Sequence, residues 1–124
     1  MNHETLKRIT FDQHQVIKGA VIIDRNIVLE KNVNYVLVGL RRAGKTTLLY
    51  KRALELINEG VDWNQIIYIN FDDERLLEFA ANDFDDILLV AEELSNKKHY
   101  FYFDEIQNID GWEKFAIRIA KSRI

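Results

Sequence analysis

Three short apolar runs stand out along the chain, at residues 35–38, 66–71 and 100–103. The first is β-branched and apolar throughout, the pattern of a strand buried on both faces, and the other two are rich in β-branched or aromatic side chains, with Asn70 the one polar residue among them. Between and after these runs the apolar period changes to that of a helix. Leu49, Ala53, Leu56 and Ile57 fall at i, i+4, i+7 and i+8 and predict a helix over about 44–58, with Gly60 at its C-terminal end. Asp83 is placed to cap a helix over 84–94 carrying Ile87, Leu88, Ala91 and Leu94. Trp112, Phe115, Ala116 and Ile119 predict a last helix. The acidic stretch 72–86, with Arg75 as its one basic residue, holds Leu76, Leu77 and Phe79 and predicts a short helical turn.

Ahead of the first strand the pattern is weaker. Residues 1–11 are polar and mixed and read as an irregular lead-in. Asp12 is placed to cap a short helix carrying Val16, Ile17 and Ala20, with Gly19 against it. Residues 20–23 are apolar enough to bury, 24–26 form a break and 31–34 a turn. The division expected is an N-terminal lead-in over 1–33 and a core over 34–124. Alternating strands and helices indicate an α/β fold with a mainly parallel sheet flanked by helices. Right-handed crossovers then bring the ends of the three strands to one edge, where ligands bind in such sheets.

The residues at that edge carry the chemistry. Gly39-Leu40-Arg41-Arg42-Ala43-Gly44-Lys45-Thr46-Thr47 follows the first strand and opens the first core helix, matching the phosphate-binding pattern G-x-x-x-x-G-K-[ST]. Unpaired N–H groups at a helix N-terminus attract anions, and glycines let phosphate oxygens approach the backbone. Gly39, Arg42, Ala43, Gly44, Lys45, Thr46 and Thr47 are the nucleotide-binding set. Lys45 is assigned to the β- and γ-phosphates and the Thr46 hydroxyl to Mg²⁺. Arg41 and Arg42 either assist the phosphates or pair with acids.

Asp104-Glu105 ends the third run. An aspartate at the end of a buried strand can hold Mg²⁺ opposite Thr46, and the adjacent glutamate can activate the attacking water. Taken alone, such a pair is equally well a solvated strand end; the upstream loop is what favours chemistry. Asp72 and Asp73 share the same edge and read mainly as a solvated loop. Trp63 and Trp112 read as packing residues. His3, His14 and His99 have no metal-ligand spacing, 96–99 reads as a turn, and no G-x-G-x-x-G occurs.

Composition narrows the setting. A chain of 124 residues, 48% apolar and 30% charged, has the make-up of one globular domain. It has no cysteine, which excludes disulfides and thiolate-bound zinc, and no proline-rich linker. No apolar run is long enough for a membrane helix and the N-terminus lacks a signal pattern, so the expected location is cytoplasmic. Residues 1–60 carry ten Lys and Arg against six Asp and Glu, while 61–124 carry seven against fourteen. The loop lies in the basic half, but neither half has the basic run of a nucleic-acid binder.

On these residues the chain resembles the P-loop ATPases of the AAA superfamily. Closer still is a prokaryotic family marked by a G-x-R-R-x-G-K-T-T loop and a D-E-I-Q segment. Gly39 to Thr47, Tyr68-Ile69-Asn70-Phe71-Asp72-Asp73, Asp104-Glu105-Ile106-Gln107 and then Trp112 carry the likeness, over about 20–124. The resemblance implies ATP and Mg²⁺ as cofactors, with Glu105 and Lys45 catalytic and Thr46 and Asp104 on the metal. It also implies a strand order 5-1-4-3-2, in which a fourth strand lies between the loop strand and the Asp104 strand. That strand, its sensor residue, a fifth strand and an arginine finger would follow Ile124. The expectation is thus the N-terminal part of a larger ATPase. By itself such a part would be marginal, form a homo-oligomer, or pair its strands in another order. A nucleotide-dependent phosphotransferase and a non-catalytic nucleotide-binding or interaction fragment are the competing functions.

Overall fold

A computed structural model of the protein describes residues 2–20, 35–37 and 43–121; at 35–37, 43–47 and 120–121 it describes the backbone alone. The elements are α1 (His3–Lys18), β1 (Tyr35–Leu37), α2 (Ala43–Asn58), β2 (Ile66–Asn70), α3 (Phe84–Leu94), β3 (Tyr100–Asp104) and α4 (Trp112–Lys121). Short 3-10 turns at Trp63–Gln65, Glu74–Leu76, Ala81–Asp83 and Ile106–Asn108 lead into or out of them. The features expected within 21–34 lie outside the described residues.

The three strands form one parallel sheet in the order β1-β3-β2. This α/β arrangement, a parallel sheet flanked by helices, is the fold class that the alternating pattern predicts. The strands keep the relative order 1-3-2 that the resemblance implies, with β1 and β3 now direct neighbours. No strand separates β1 from β3: Tyr35, Val36 and Leu37 pair directly with Tyr102, Phe103 and Asp104. The physical reason lies in β3, whose five residues are all buried. A buried strand needs ladder partners for its backbone on both sides, and β1 and β2 supply them.

The period of two along the strands splits the core between the two sheet faces. Ile67, Ile69 and Phe71 join Phe101 and Phe103 in one cluster, closed by Phe84, Ile87, Val90 and Ala91 of α3 and by Phe115 and Ile119 of α4. Ile66 and Tyr68 join Tyr100 and Tyr102 in the other, closed by Leu49, Ala53 and Leu56 of α2. Ring contacts tie the first cluster together, the closest being the stacked Phe84–Phe115 pair at 4.4 Å. Trp112 and Trp63 pack against the margins of the two clusters, as packing residues should.

Several local expectations need correction. The N-terminal stretch is not an irregular lead-in with a short helix after it. It is one helix from His3, capped by Asn2, whose side chain accepts from the Glu4 N–H at 2.8 Å. The buried stripe is Leu6, Ile9, Thr10, His14 and Ile17. Two polar residues interrupt its apolar pattern, and each is satisfied locally. Thr10 donates to the Leu6 carbonyl at 2.9 Å, and the His14 ring meets the Ile66 carbonyl at 2.6 Å. Asp12 caps nothing and instead pairs with Arg75 at 2.7 Å; Val16 is exposed. Asp83 stands before α3, but its carboxylate accepts from the Ala80 N–H. Leu77 points outward, 87% exposed, while Leu76 and Phe79 are buried. Arg52 of α2, although charged, is only 3% exposed, with Glu55 and Glu59 at 3.4 and 3.7 Å. Gly60 does end α2 as expected, with φ +104° and the Val61 N–H returning to the Leu56 carbonyl.

Helix α1 crosses the β2 side of the sheet. Leu6 and Ile9 enter one cluster and Ile17 the other. His14, between them, reaches the edge carbonyl of Ile66. Only an N–H can donate to a carbonyl, so Nε2 carries the proton. Burial holds the His14 pKa below its ordinary value, whereas hydrogen bonds to Glu93 and Asp86 raise that of half-buried His3. The two act in opposite senses. His3 adds stability below its ordinary pKa, lost as pH rises through its raised value. His14 must stay neutral in the fold, so its contribution is lost as pH falls from about 6.5 towards its depressed value. His14→Gln, which keeps a donor, should therefore lose less stability than the parent between about pH 7.5 and 5. Urea unfolding at both pH values measures this, and equal losses would contradict it.

Candidate functional site

Parallel register decides what stands at the carboxyl edge. Leu37 and Asn70 are both partnered with Asp104, so the ends of all three strands are level. From Leu37 to the start of α2 at Ala43 is six residue steps, at most about 20 Å of chain. The beginning of α2 is therefore tied to the same edge as Asp104. Chain direction marks this edge further. β1 leads into α2, on the tyrosine-lined face, whereas β3 leads towards α4, on the phenylalanine-lined face. Neighbouring strands whose following helices lie on opposite faces form the switch point at which α/β sheets bind ligands.

Parity places Asp104 further. It is two residues beyond Tyr102 and so belongs to the face packed by α2. It is 1% exposed, and the Tyr68 hydroxyl donates to its Oδ2 at 3.2 Å. Burial, with the Asp104 charge added, pushes the Tyr68 phenol far up, so the hydroxyl remains a donor. Tyr50 of α2 lies against the Tyr68 ring at 5.2 Å. The contact between Tyr50 and Tyr68 seats α2 against β2 beside the hydroxyl that reaches Asp104.

Glu105 is strained. Its φ of 57° and ψ of 32° are left-handed, the one positive φ at a non-glycine position among the described residues. It is 6% exposed, and Gln107 Nε2 donates to its Oε2 at 2.6 Å. A left-handed non-glycine residue costs about 1–2 kcal/mol and is concentrated at functional sites. The turn swings the chain out of β3 into the Ile106–Asn108 turn, where the Asn108 N–H returns to the Glu105 carbonyl.

Of the residues expected at the site, Asp104 and Glu105 meet at this edge with the start of α2. Ala43, Gly44, Lys45, Thr46 and Thr47 form the first turn of that helix, which contains no acidic residue. Gly39, Arg41 and Arg42 lie outside the described residues. Asp72 and Asp73 behave as structural loop residues. Asp72 accepts from Asn108 Nδ2 at 2.7 Å. Asp73 caps the Glu74–Leu76 turn and pairs with Arg75, whose guanidinium draws its pKa down. Sequence reasoning missed Tyr68, Tyr50 and Gln107 as site residues. Tyr68 sits inside an apolar strand and Tyr50 inside a helix, where an aromatic reads as packing. No spacing marks a hydroxyl that reaches across a sheet.

Comparison with known proteins agrees with this architecture. A family model described as an AAA domain matches residues 31–123. The chain belongs to the AAA domain family. It is 36% identical over 118 residues to an uncharacterized protein of Methanocaldococcus jannaschii, covering 94% of the chain and 25% of that relative. It is 35% identical over 88 residues to an uncharacterized protein of Haemophilus influenzae, covering 68% of the chain and 22% of that relative. The chain thus spans about a quarter of the length of these relatives. No solved structure matches it. Among the described residues, no helix is long and apolar enough to cross a membrane.

The backbone strain at Glu105 is directly measurable. Glu105→Ala and Glu105→Gly both remove the carboxylate, but only glycine relieves the left-handed conformation. The glycine variant should be the more stable of the two by about 1 kcal/mol. Chemical denaturation compares them, and equal stability would show that the turn is unstrained.

Proposed function

We propose that the full-length protein binds ATP with Mg²⁺ at this edge and hydrolyses it, and that this chain supplies the nucleotide-binding part of the site. One observation carries the reading: the register that sets Asp104 level with the end of β1, from which the phosphate-binding loop leads into α2. The G-x-R-R-x-G-K-T-T and D-E-I-Q segments are read as the marks of a narrower prokaryotic family within the AAA group. Because the chain spans only part of its relatives, oligomer formation, a cytoplasmic location and the work driven by ATP belong to the same proposal.

The residues present suit both cofactors. The start of α2 offers unpaired N–H groups, no competing acid in its first turn, and Lys45. Among the described residues no group of three or more His, Asp and Glu side chains gathers to cage a metal. A single buried carboxylate instead suits Mg²⁺, which is commonly held by one or two carboxylates plus nucleotide phosphates. Burying a carboxylate is costly unless a cation or donors balance it, and at Asp104 the Tyr68 hydroxyl is one such donor.

Division of labour follows from position. The loop backbone from Gly39 to Gly44, with Lys45 and Thr47, holds the phosphates; Arg42 lies within it. Thr46 and Asp104 hold the metal, which when bound neutralises charge on the transferring phosphoryl group. Glu105 orients the attacking water and accepts its proton, from a carboxylate that Gln107 already holds. Two variants of the full-length protein test these roles. Glu105→Gln should bind ATP as the parent does and lose at least about a hundredfold in turnover. Lys45→Ala should lose nucleotide affinity in calorimetry. Unchanged turnover in the first variant removes Glu105 from catalysis, and unchanged affinity in the second removes the loop from binding.

A further inference from the structure

We propose that Tyr68 is a positioning residue for the Asp104 carboxylate, held by a line of side chains running from α1 through Gln13 and Tyr50. This rests on the reading of Asp104 as a metal ligand and adds the group that orients it. Tyr68 pairs in register with Tyr102, while Asp104 pairs with Asn70. Tyr68 and Asp104 are therefore diagonal neighbours on one face of adjacent strands, a separation that aromatic side chains bridge. The bridge is made by the hydroxyl alone, which donates to Oδ2 at 3.2 Å. A phenylalanine at 68 would fill the same volume and leave the carboxylate without this donor.

Packing fixes where that hydroxyl lies. Tyr68 is fully buried, with the Tyr50 ring at 5.2 Å and the Tyr102 ring edge-on at 6.4 Å. Tyr50 is in turn fixed at its far end, where its hydroxyl accepts from Gln13 Nε2 at 2.8 Å. Gln13 belongs to α1, and its neighbour His14 anchors that helix to β2 through the Ile66 carbonyl. The line therefore begins on an element outside the residues matched by the family model and ends on the carboxylate at the sheet edge. Metal binding at Asp104 thereby depends on how α1 is seated.

The test uses the full-length protein and measures ATP affinity by calorimetry, first in EDTA and then across a Mg²⁺ titration. In Tyr68→Phe the affinity in EDTA should stay within about twofold of the parent, while the Mg²⁺ concentration for half-maximal tightening rises about tenfold, as loss of a hydrogen bond to a charged group implies. A folded variant whose Mg²⁺ midpoint is unchanged overturns the proposal. So does a parallel loss of affinity with and without Mg²⁺, which marks a role in packing only. If Tyr68→Phe does not fold, Tyr50→Phe keeps the ring and breaks the bond to Gln13. It should raise the midpoint in the same direction by about threefold, and no shift there overturns the proposal equally. If the parent protein binds no ATP, the nucleotide reading itself fails, a result distinct from a parent that binds Mg²⁺ and ATP and a variant that matches it.

Discussion

Strand β3 is the constraint on which the rest depends. It is paired on both sides and buried throughout. Pairing on both sides fixes the register of β1 and β2 against the same residue, Asp104. Burial on both faces demands helices above and below, and the connections supply them. The path from β1 to β2 crosses two positions of the sheet through α2, and the path from β2 to β3 returns one position through α3. Right-handed crossovers taken in opposite directions put their helices on opposite faces, and the two clusters divide accordingly. The switch point at the carboxyl edge is a consequence of that topology rather than an added feature.

The two faces differ in chemistry as well as in partners. The α3 and α4 face is lined by Phe71, Phe101 and Phe103, which bring no polar atom. The α2 face is lined by Tyr68, Tyr100 and Tyr102, each with a hydroxyl at the end of an otherwise apolar ring. Tyrosine lets a core stay packed while delivering a donor to a chosen point. Here that point is a buried carboxylate, on the side from which the phosphate-binding loop and its helix approach. The phenylalanine face packs against α3 and α4. The tyrosine face combines stability with control of a charge that would otherwise be costly to bury.

Much of this was legible in the residues. The strands could be read because runs such as Tyr100 to Phe103 are apolar without alternation. Helix α3 could be read because Ile87, Ala91 and Leu94 keep one period. Helix α1 was not, because Thr10 and His14 occupy its buried stripe and look like surface residues until the Leu6 and Ile66 carbonyls are seen to receive them. The direct pairing of β1 with β3 was not legible because local pattern says which segments are strands, not which edges meet. The match between Leu37 and Asp104 is a property of the whole sheet. At the site, the loop and the Asp-Glu pair announce themselves by spacing. The left-handed turn at Glu105 and the hydroxyl of Tyr68 arise from tertiary packing and leave no local mark.

The central claim is that one edge of this sheet joins a phosphate-binding helix start to a metal-binding carboxylate. Calorimetry of ATP binding to full-length protein carrying Asp104→Asn, with and without Mg²⁺, tests it most directly. The substitution keeps the size of the side chain and removes its charge. The account predicts that the variant binds ATP in EDTA as the parent does and gains no affinity when Mg²⁺ is added, while the parent does gain. An Asp104→Asn protein that responds to Mg²⁺ as fully as the parent would contradict it.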